Sequence, residues 1–399
     1  MLDFNEHVLK SSQQFGAVVQ PRMGFSRIAD MREGLRATAS SNANSVCTIT
    51  LDSFTRVNDF TGVRRALAEN NQLNGYPLIY HKPNQTKKII TEIVRNHSLP
   101  VQIRHGSPLP SKIFQRMVEV GVNATEGGPI SYCLPYSRVP LKVAVEDWEK
   151  SCRILSAGVE KSHIETFSGC MLGQLCDPAV LIALNIIEGL FLTANGINSI
   201  SFSYAQGTSK TQDKAALTVL KKLAGKFFSK DSYHIVSYVF MGYFPKTMGG
   251  YCKVTNDMLN LINTEKVNRV IVKTPVEARR IPNLEENIAS IEFADYQLKS
   301  EFCKKPIQFD SEEYDRIYTL ANQLISDTLS QDKNIGKTII KSFSSGILSI
   351  PYCLHSDNKR TSHVTIDKRG YCMTSANSTI NSSANLIENL KKNIEKYDL

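Results

Sequence analysis

Residues 100–128 read PVQIRHGSPLPSKIFQRMVEVGVNATEGG and contain two short apolar segments separated by a longer helical one. PVQIRH (100–105) and GVNAT (121–125) have the length and residue types of strands, and residues 110–120 have the apolar spacing of a helix. A strand, a helix and a second strand in this order are typical of a βα unit with parallel strands.

The same alternation extends through most of the chain. Nine short apolar or β-branched runs are candidate strands: FGAVVQP (15–21), SVCTITL (45–51), PLIYH (77–81), PVQIRH (100–105), GVNAT (121–125), SHIETF (162–167), INSISFSY (197–204), HIVSYVF (234–240) and NRVIVKT (268–274). Longer helix-like stretches lie among them, at 61–71, 86–96, 110–120, 144–158, 178–194 and 211–228.

This pattern predicts an α/β protein whose residues 1–355 form a (β/α)8 TIM-type barrel. Nine candidates exceed by one the number that an eight-stranded barrel needs, so one run is expected to lie outside it. The sequence does not say which run that is, and a doubly wound open sheet is the alternative fold. Beyond residue 355 the pattern weakens into polar segments, so residues 356–399 are predicted to be a small C-terminal appendage ending in a surface helix.

The charge of the chain is moderately positive. Its 399 residues include 47 lysines and arginines against 38 aspartates and glutamates, a formal net charge of +9. A basic chain is a candidate for nucleic-acid binding, but these residues form no single block and no aromatic-basic RNA motif is present. Arginines reserved for a small anionic molecule explain the charge better, and no nucleic-acid partner is predicted.

Two features of the sequence favour a cytoplasmic location. Nine dispersed cysteines without a CxxC pair indicate free thiols in a reducing compartment, and the N-terminus lacks the pattern of a signal peptide. The longest apolar stretch, residues 178–194, contains Asn185 and Glu188 and is predicted to be a buried helix instead of a membrane span.

Charged side chains follow several of the candidate strands. Arg22 and Arg56 come after the first and second runs, and Arg104 ends the fourth. In parallel barrels the C-terminal ends of the strands surround the active site, so these arginines are expected to converge. Three guanidinium groups at one cavity predict a ligand with two carboxylates or a phosphate. For each arginine alone, a surface ion pair is the simpler interpretation.

The fifth run leads into the segment ATEGGPISYCLPY (124–136), whose Gly-Gly-Pro turn ends any regular element. Glu126 therefore lies at a strand end, where it forms an ion pair or, among the arginines, contacts a substrate ammonium. Tyr132 and Tyr136 are either packed aromatic residues or hydrogen-bond donors to a carboxylate. Lys273 and Glu277, four residues apart, have the spacing of an ion pair at a helix start.

Patterns that identify other enzyme classes are absent from the sequence. It contains no GxGxxG after a strand, no P-loop, no HExxH and no GxSxG. His355 and His363 lie in the polar tail and are not predicted to form a metal site, so no metal bound by this chain is expected.

Several segments together resemble the large (epsilon) chain of glutamate mutase, also called methylaspartate mutase. They are PRMG (21–24), LDSFTR (51–56), LNGYP (73–77), LPVQIRHGSP (99–108), NATEGGPISYCLPY (123–136) and VIVKTPVEARRIP (270–282). The resemblance runs in register from about residue 15 to 355. It implies a (β/α)8 barrel and an adenosylcobalamin-dependent isomerase that converts L-glutamate into (2S,3S)-3-methylaspartate by radical rearrangement of the carbon skeleton.

The resemblance also implies roles for individual residues. Arg22, Arg56 and Arg104 would hold the two substrate carboxylates. Glu126 would contact the substrate amino group and accept its proton. Tyr132 and Tyr136 would be further substrate contacts. The positions implied to bind the cofactor are Gly24, Asn74, Pro135, Phe167, Lys273, Glu277 and Ile281.

A second protein chain follows from the same resemblance. Cobalamin-binding chains carry the pattern Asp-x-His-x-x-Gly, and none of the eight histidines here lies in that pattern. The resemblance therefore implies that a small cobalamin-binding subunit shares adenosylcobalamin with this chain, in a heterotetramer containing a homodimer of it. Two alternatives remain, a related cobalamin mutase or barrel enzyme acting on another dicarboxylate, and a non-catalytic barrel that serves as a binding partner.

Overall fold

The computed structural model describes residues 2–69, 71–170, 176–276, 279–375 and 383–399. Within these residues eight parallel strands form one sheet. The strands are β1 (Val18–Gln20), β2 (Cys47–Thr50), β3 (Val101–Arg104), β4 (Ala124–Glu126), β5 (His163–Glu165), β6 (Ser199–Ala205), β7 (Tyr233–Tyr238) and β8 (Arg269–Ile271).

The sheet curves into a nearly closed barrel. Its strand order is β1-β8-β7-β6-β5-β4-β3-β2, so each strand pairs with its neighbour in sequence and the last pairs with the first. Between β1 and β2 the contact is a parallel bridge of Val19 with Ser45, and the Val19 N–H donates to the carbonyl of Asn44 at 2.8 Å. The predicted (β/α)8 barrel is confirmed, and the open-sheet alternative is wrong.

The candidate strand outside the barrel is PLIYH (77–81). Its backbone turns back on itself, with the N–H groups of Tyr80 and His81 donating to the carbonyl of Pro77. Only the preceding Tyr76 forms a bridge, with Leu51. Proline has no N–H to give to a ladder, which favours this turn over a strand.

Helices surround the barrel. They are α1 (Phe4–Phe15), α2 (Ile28–Ser40), α3 (Ser53–Arg56), α4 (Phe60–Ala68), α5 (Pro83–His97), α6 (Ser111–Val120), α7 (Leu141–Gly158), α8 (Pro178–Ala194), α9 (Lys210–Phe227), α10 (Met248–Glu265), α11 (Leu284–Lys299), α12 (Ser311–Leu329), α13 (Ile335–Ser345) and α14 (Ser383–Glu395). Short 3₁₀ turns lie at Ser168–Cys170, Lys230–Ser232 and Glu301–Lys304.

Helix α6 illustrates how the sequence selects these elements. Its buried side chains, Ile113, Phe114, Met117 and Val120, recur at helical spacing and form one apolar face against the barrel. The helix ends at Gly121, whose φ of 75° is a left-handed conformation that glycine adopts without strain.

The apolar stretch 178–194 forms α8, which is buried around almost its whole circumference. Asn185 donates to the carbonyl of Ser203 at 2.8 Å, and Glu188 accepts from the N–H groups of Ile130 and Ser131. Its two polar side chains are thus satisfied inside the protein, as a buried helix requires. Among the described residues, no helix is long and apolar enough to cross a membrane.

The C-terminal segment packs on the barrel. Strands β9 (His363–Ile366) and β10 (Cys372–Ser375) pair as an antiparallel hairpin, followed by α14. The carboxylate of Asp398 accepts from the N–H groups of Lys246 and Thr247 before α10, at 2.9 Å each. These contacts attach the end of the chain to the loop that follows β7.

Candidate active site

Arg104 and Glu126 form the centre of the candidate site. They are the last residues of the neighbouring parallel strands β3 and β4, whose register pairs Ile103 with Thr125, so both lie at the same level of the barrel. Nε of Arg104 donates to Oε2 of Glu126 at 2.6 Å, and both side chains are almost fully buried. Nη1 of Arg104 has no hydrogen-bond partner among the described residues.

Tyr132 completes the contacts of Glu126. Its hydroxyl donates to Oε1 of Glu126 at 2.5 Å, and burial raises the pKa of this phenol well above its ordinary value, so it remains a donor. The turn at Gly127 makes the contact possible, because its φ is 113° and a Cβ there would lie 2.4 Å from the Tyr132 ring. The Gly-Gly-Pro turn therefore brings the tyrosine back over the glutamate.

Arg22 and Arg56 line an open cavity of about 530 Å³ at this end of the barrel. Asp52 caps α3 by accepting from the Thr55 N–H, and at the other end of this short helix Nε of Arg56 donates to the Leu51 carbonyl at 3.0 Å. Burial lowers the pKa of Arg56, and the charges of Arg22 and Arg104 lower it further. Tyr132 and Glu126 act in the opposite direction and raise it. The three arginines thus act on one another, as expected from their strand-end positions.

Several residues implied to bind the cofactor lie around this cavity. Gly24, Asn74 and Ile281 line it together with the two arginines. Asn74 accepts from the Ser53 N–H through Oδ1 at 2.9 Å, which leaves its NH₂ group for other acceptors. These positions share one opening with Arg22 and Arg56.

The remaining predicted residues are distributed differently. Phe167 packs against the rings of Tyr132 and Tyr238, with centroid distances of 5.1 and 5.9 Å. Tyr136 is 55% exposed. Pro135 lines a separate cavity of about 450 Å³ beside His355, so the structure does not place it on the lining of the first cavity. Glu277 lies outside the described residues.

Lys273 is buried just beyond the end of β8. Its Nζ lies 4.9 Å from the ring centroid of Phe244, which is itself buried in the loop after β7. A cation over an aromatic face is attracted to the ring. Phe244 was not predicted as a site residue, because in sequence it is one more aromatic residue in a loop.

Two polar residues near the centre were also missed. Tyr238 ends β7 on the far side of the barrel, and its hydroxyl accepts from Nη2 of Arg104 at 3.0 Å. Glu165 ends β5 and accepts a close hydrogen bond from the same hydroxyl. Both were inside candidate strands, and their strand-end position was the signal that could have identified them.

His105 is a third such residue. It is fully buried, and its Nδ1 accepts from the Ser107 N–H at 2.9 Å, so a neutral ring carries its proton on Nε2. Burial and then the charge of Arg56 lower its pKa to about 3, against the backbone of Glu126, which raises it. The residue that follows β3 thus supplies a neutral N–H donor beside Tyr132.

The sequence profile of the family described as Methylaspartate mutase E chain (MutE) matches residues 2–397. The chain belongs to this family. The match covers nearly the whole chain, and it agrees with the resemblance carried by the strand-end segments.

Relatives of the chain include glutamate mutase epsilon subunits from three organisms. The chain is similar to the glutamate mutase epsilon subunit of Halobacterium salinarum, with 29% identity over 352 residues that cover 84% of this chain and 71% of that protein. It is similar to that of Haloarcula marismortui, with 26% identity over 381 residues (88% and 76%). It is also similar to that of Desulfitobacterium hafniense, with 30% identity over 286 residues (68% and 58%). The methylaspartate mutase E chain family is thus one of mutases, a class of isomerase.

A nucleoside group fits the residues at this cavity. Its hydroxyls need hydrogen-bond partners, and the NH₂ group of Asn74 on the cavity lining is such a donor. The ammonium of Lys273 is buried just beyond the end of β8 and is not part of this lining. Gly24 fits tightly in the wall, since a Cβ there would lie 2.1 Å from the carbonyl oxygen of Thr50. Among the described residues, no group of three or more histidine, cysteine or acidic side chains could bind a metal ion.

Proposed function

We propose that this chain is the substrate-binding large subunit of an adenosylcobalamin-dependent glutamate mutase, which converts L-glutamate into (2S,3S)-3-methylaspartate. The observation that carries the proposal is the meeting of Arg22, Arg56 and Arg104 with one buried glutamate, Glu126, at one end of the barrel. L-Glutamate has two carboxylates and one ammonium group. Three guanidinium groups and one carboxylate are its electrostatic complement.

The free nitrogen of Arg104 defines part of the binding geometry. Nε is engaged by Glu126 and Nη2 by Tyr238, so Nη1 is the atom left to donate to a substrate carboxylate. Glu126 has both oxygens engaged, yet each carboxylate oxygen accepts more than one hydrogen bond. It can therefore take a hydrogen bond from the substrate ammonium and hold its proton at the same carboxylate.

Adenosylcobalamin, when bound, supplies the radical that starts the rearrangement. The residues of this chain that would hold its adenosyl group are Lys273, Asn74, Gly24 and Ile281, with Phe167 on the inner side. Buried aromatic rings at Phe167, Tyr132 and Tyr238 exclude water from the space next to Glu126.

We also propose that a small cobalamin-binding subunit supplies the cobalt ligand and covers the open cavity. The absence of the Asp-x-His-x-x-Gly pattern supports this division. The complete assembly would be a heterotetramer around a homodimer of this chain. Its location would be the cytoplasm, because all nine cysteines, each within the described residues, are free thiols.

Reconstitution tests the proposal. The purified chain is assayed with L-glutamate and adenosylcobalamin, alone and with a cognate small cobalamin-binding chain, and 3-methylaspartate is measured. We expect no product from the isolated chain and turnover after the small chain is added. Full activity of the isolated chain would refute the two-component assignment.

Substrate profiling distinguishes the alternatives. If the complex converts another dicarboxylate and leaves L-glutamate unchanged, the chain is a related mutase. If it binds L-glutamate, measured as a rise in Tm, but no reconstituted complex turns it over, the chain is a non-catalytic barrel.

A further inference from the structure

Tyr238 joins the candidate site to the interior of the barrel. It is 1% exposed at the end of β7, and its hydroxyl oxygen lies 3.0 Å from Nη2 of Arg104 and 3.4 Å from Oε2 of Glu126. The same hydroxyl makes its closest contact with Oε1 of Glu165. One phenol therefore contacts three charged groups on three different strands.

The direction of the phenol proton follows from these contacts. A tyrosine hydroxyl has a single proton, and the closest acceptor is Glu165, so the proton is donated there and not to Glu126. Burial raises the pKa of Tyr238 well above its ordinary value, which keeps the proton on the oxygen. The remaining lone pairs face Arg104, whose Nη2 can only donate.

Glu165 is itself held rigidly. Its Oε2 accepts from Nη2 of Arg269 at 2.6 Å and from Nε2 of Gln102 at 3.2 Å, and both ionic side chains are fully buried. Arg269 is fixed in turn by His234, to which its Nε donates at 3.1 Å. The acceptor that orients Tyr238 is therefore part of a packed ionic network and not a mobile side chain.

We infer that Tyr238 is a positioning residue that fixes the guanidinium plane of Arg104, so that Nη1 is presented to a substrate carboxylate. Two contacts from different strands, Glu126 on Nε and Tyr238 on Nη2, define the orientation of a planar fork. With Glu126 as its only partner, the guanidinium would still pivot about the Nε–H···Oε2 hydrogen bond. This inference rests on the proposed function, because it assigns the ligand of Arg104.

The Tyr238→Phe variant removes the hydroxyl of Tyr238 and keeps its ring. The guanidinium carbon of Arg104 lies 5.3 Å from the centroid of the Tyr238 ring, and Phe167 packs on its edge, so the phenylalanine ring retains this packing. Tyr204→Phe is the matched control. Tyr204 is also buried at a barrel strand, and its hydroxyl donates to the buried Asp213 at 2.7 Å without contact to Arg104.

Both variants are measured in the reconstituted complex at saturating adenosylcobalamin. We expect Tyr238→Phe to raise the KM for L-glutamate roughly 10-fold or more while kcat changes less, as for the loss of a hydrogen bond that aligns a charged substrate contact. Tyr204→Phe should lower Tm and leave KM within about twofold. A KM within twofold of wild type for Tyr238→Phe, or an equal rise for Tyr204→Phe, would overturn the inference.

The wild-type rate reports separately on the proposed function. If the wild-type complex shows no turnover, the rise in Tm that L-glutamate induces in the chain replaces KM as the measurement. A rise that is present in wild type and Tyr204→Phe but reduced in Tyr238→Phe supports the positioning role. An equal rise in all three proteins, or none in wild type, contradicts it.

Discussion

Nε of Arg104 donates to Oε2 of Glu126 at 2.6 Å across two neighbouring strand ends, with almost no exposure of either side chain. Burial disfavours the charge on Arg104, but Glu126 together with Tyr238, Glu165 and Tyr132 outweighs it, so the pKa of Arg104 lies well above its ordinary value. In such a buried pair, removing one partner leaves the other charge uncompensated. Substitutions at this site must therefore conserve charge or shape if their kinetic effects are to be separated from unfolding.

Arg104→Lys conserves the charge and removes the fork. A lysine can reach Glu126 but cannot also donate to Tyr238 and to a substrate carboxylate in fixed directions. We expect kcat/KM for L-glutamate to fall by an amount equivalent to about 2–3 kcal/mol. Steady-state kinetics of the reconstituted complex measures the fall.

Arg116→Lys is the control for losing an arginine fork elsewhere. Nη1 of Arg116 donates to the carbonyls of Leu78, Ile79 and His81 on the outside of the barrel. This variant should lose stability and retain its kcat/KM. If Arg104→Lys also retained kcat/KM, Arg104 would not be a substrate contact.

Glu126→Gln tests the carboxylate. Glutamine keeps the size of the side chain and can still accept from Tyr132, but it carries no charge for an ammonium group and accepts no proton. We expect turnover to fall by roughly 10²-fold or more, the usual scale for a positioned acid–base group. The rate is measured between about pH 6 and 9, beside Glu119→Gln, a half-exposed carboxylate paired with Arg116. A normal rate throughout would make Glu126 purely structural.

Sequence alternation was sufficient to predict the barrel because each true strand was followed by a helix that returned the chain to the same end. PLIYH (77–81) could not be excluded this way. Leu78, Ile79 and Tyr80 give the segment the composition of a strand, and Leu78 and the preceding Tyr76 are fully buried. Its burial comes instead from contacts such as the Tyr76 hydroxyl with Thr86 of α5, which only the folded chain brings together.

The sequence was sufficient to predict those contacts of the site that follow from the order of the strands. Arg104 and Glu126 end adjacent parallel strands, so their meeting follows from topology. Tyr238 contacts Arg104 across the barrel from 134 residues away, and a tyrosine in an apolar run has the appearance of a core residue. Pro135, in the loop after β4, was expected beside the cofactor residues but lines another cavity, since a loop's direction is not encoded in strand order.

Gly24→Ala tests the wall of the cavity. A Cβ at Gly24 would lie 2.1 Å from the carbonyl oxygen of Thr50, a backbone atom that cannot move aside easily. The loop after β1 would have to shift, and Arg22 would shift with it. We expect a lower Tm and a lower kcat/KM, measured by thermal unfolding and by the mutase assay.

Gly249→Ala is the matched substitution. Gly249 lies in α10, and the nearest atom to a Cβ there is Oγ1 of Thr247 at 4.0 Å. Alanine in a helix without a clash should be neutral or stabilising by up to about 1 kcal/mol. Equal effects of the two substitutions on Tm and kcat/KM would show that the close contact of Gly24 with Thr50 determines neither stability nor activity.

Asp213→Asn should flatten the dependence of stability on pH. Asp213 is fully buried in α9, where its carboxyl accepts from the Tyr204 hydroxyl and the Gly207 N–H. Burial raises its pKa from 3.8 to about 7. Between these values the folded state binds a proton that the unfolded state does not, so the free energy of unfolding falls as pH rises.

This contribution is fully present below about pH 4 and is lost as pH rises through about 7, because burial disfavours the ionised carboxylate. Asparagine resembles the neutral carboxyl at every pH. We therefore expect Asp213→Asn to match wild type near pH 4 and to exceed it by a few kcal/mol near pH 7.5. Urea unfolding at both pH values measures the difference, with the exposed Asp315→Asn on α12 as control. A constant difference between wild type and Asp213→Asn would mean that Asp213 keeps its ordinary pKa in the folded protein.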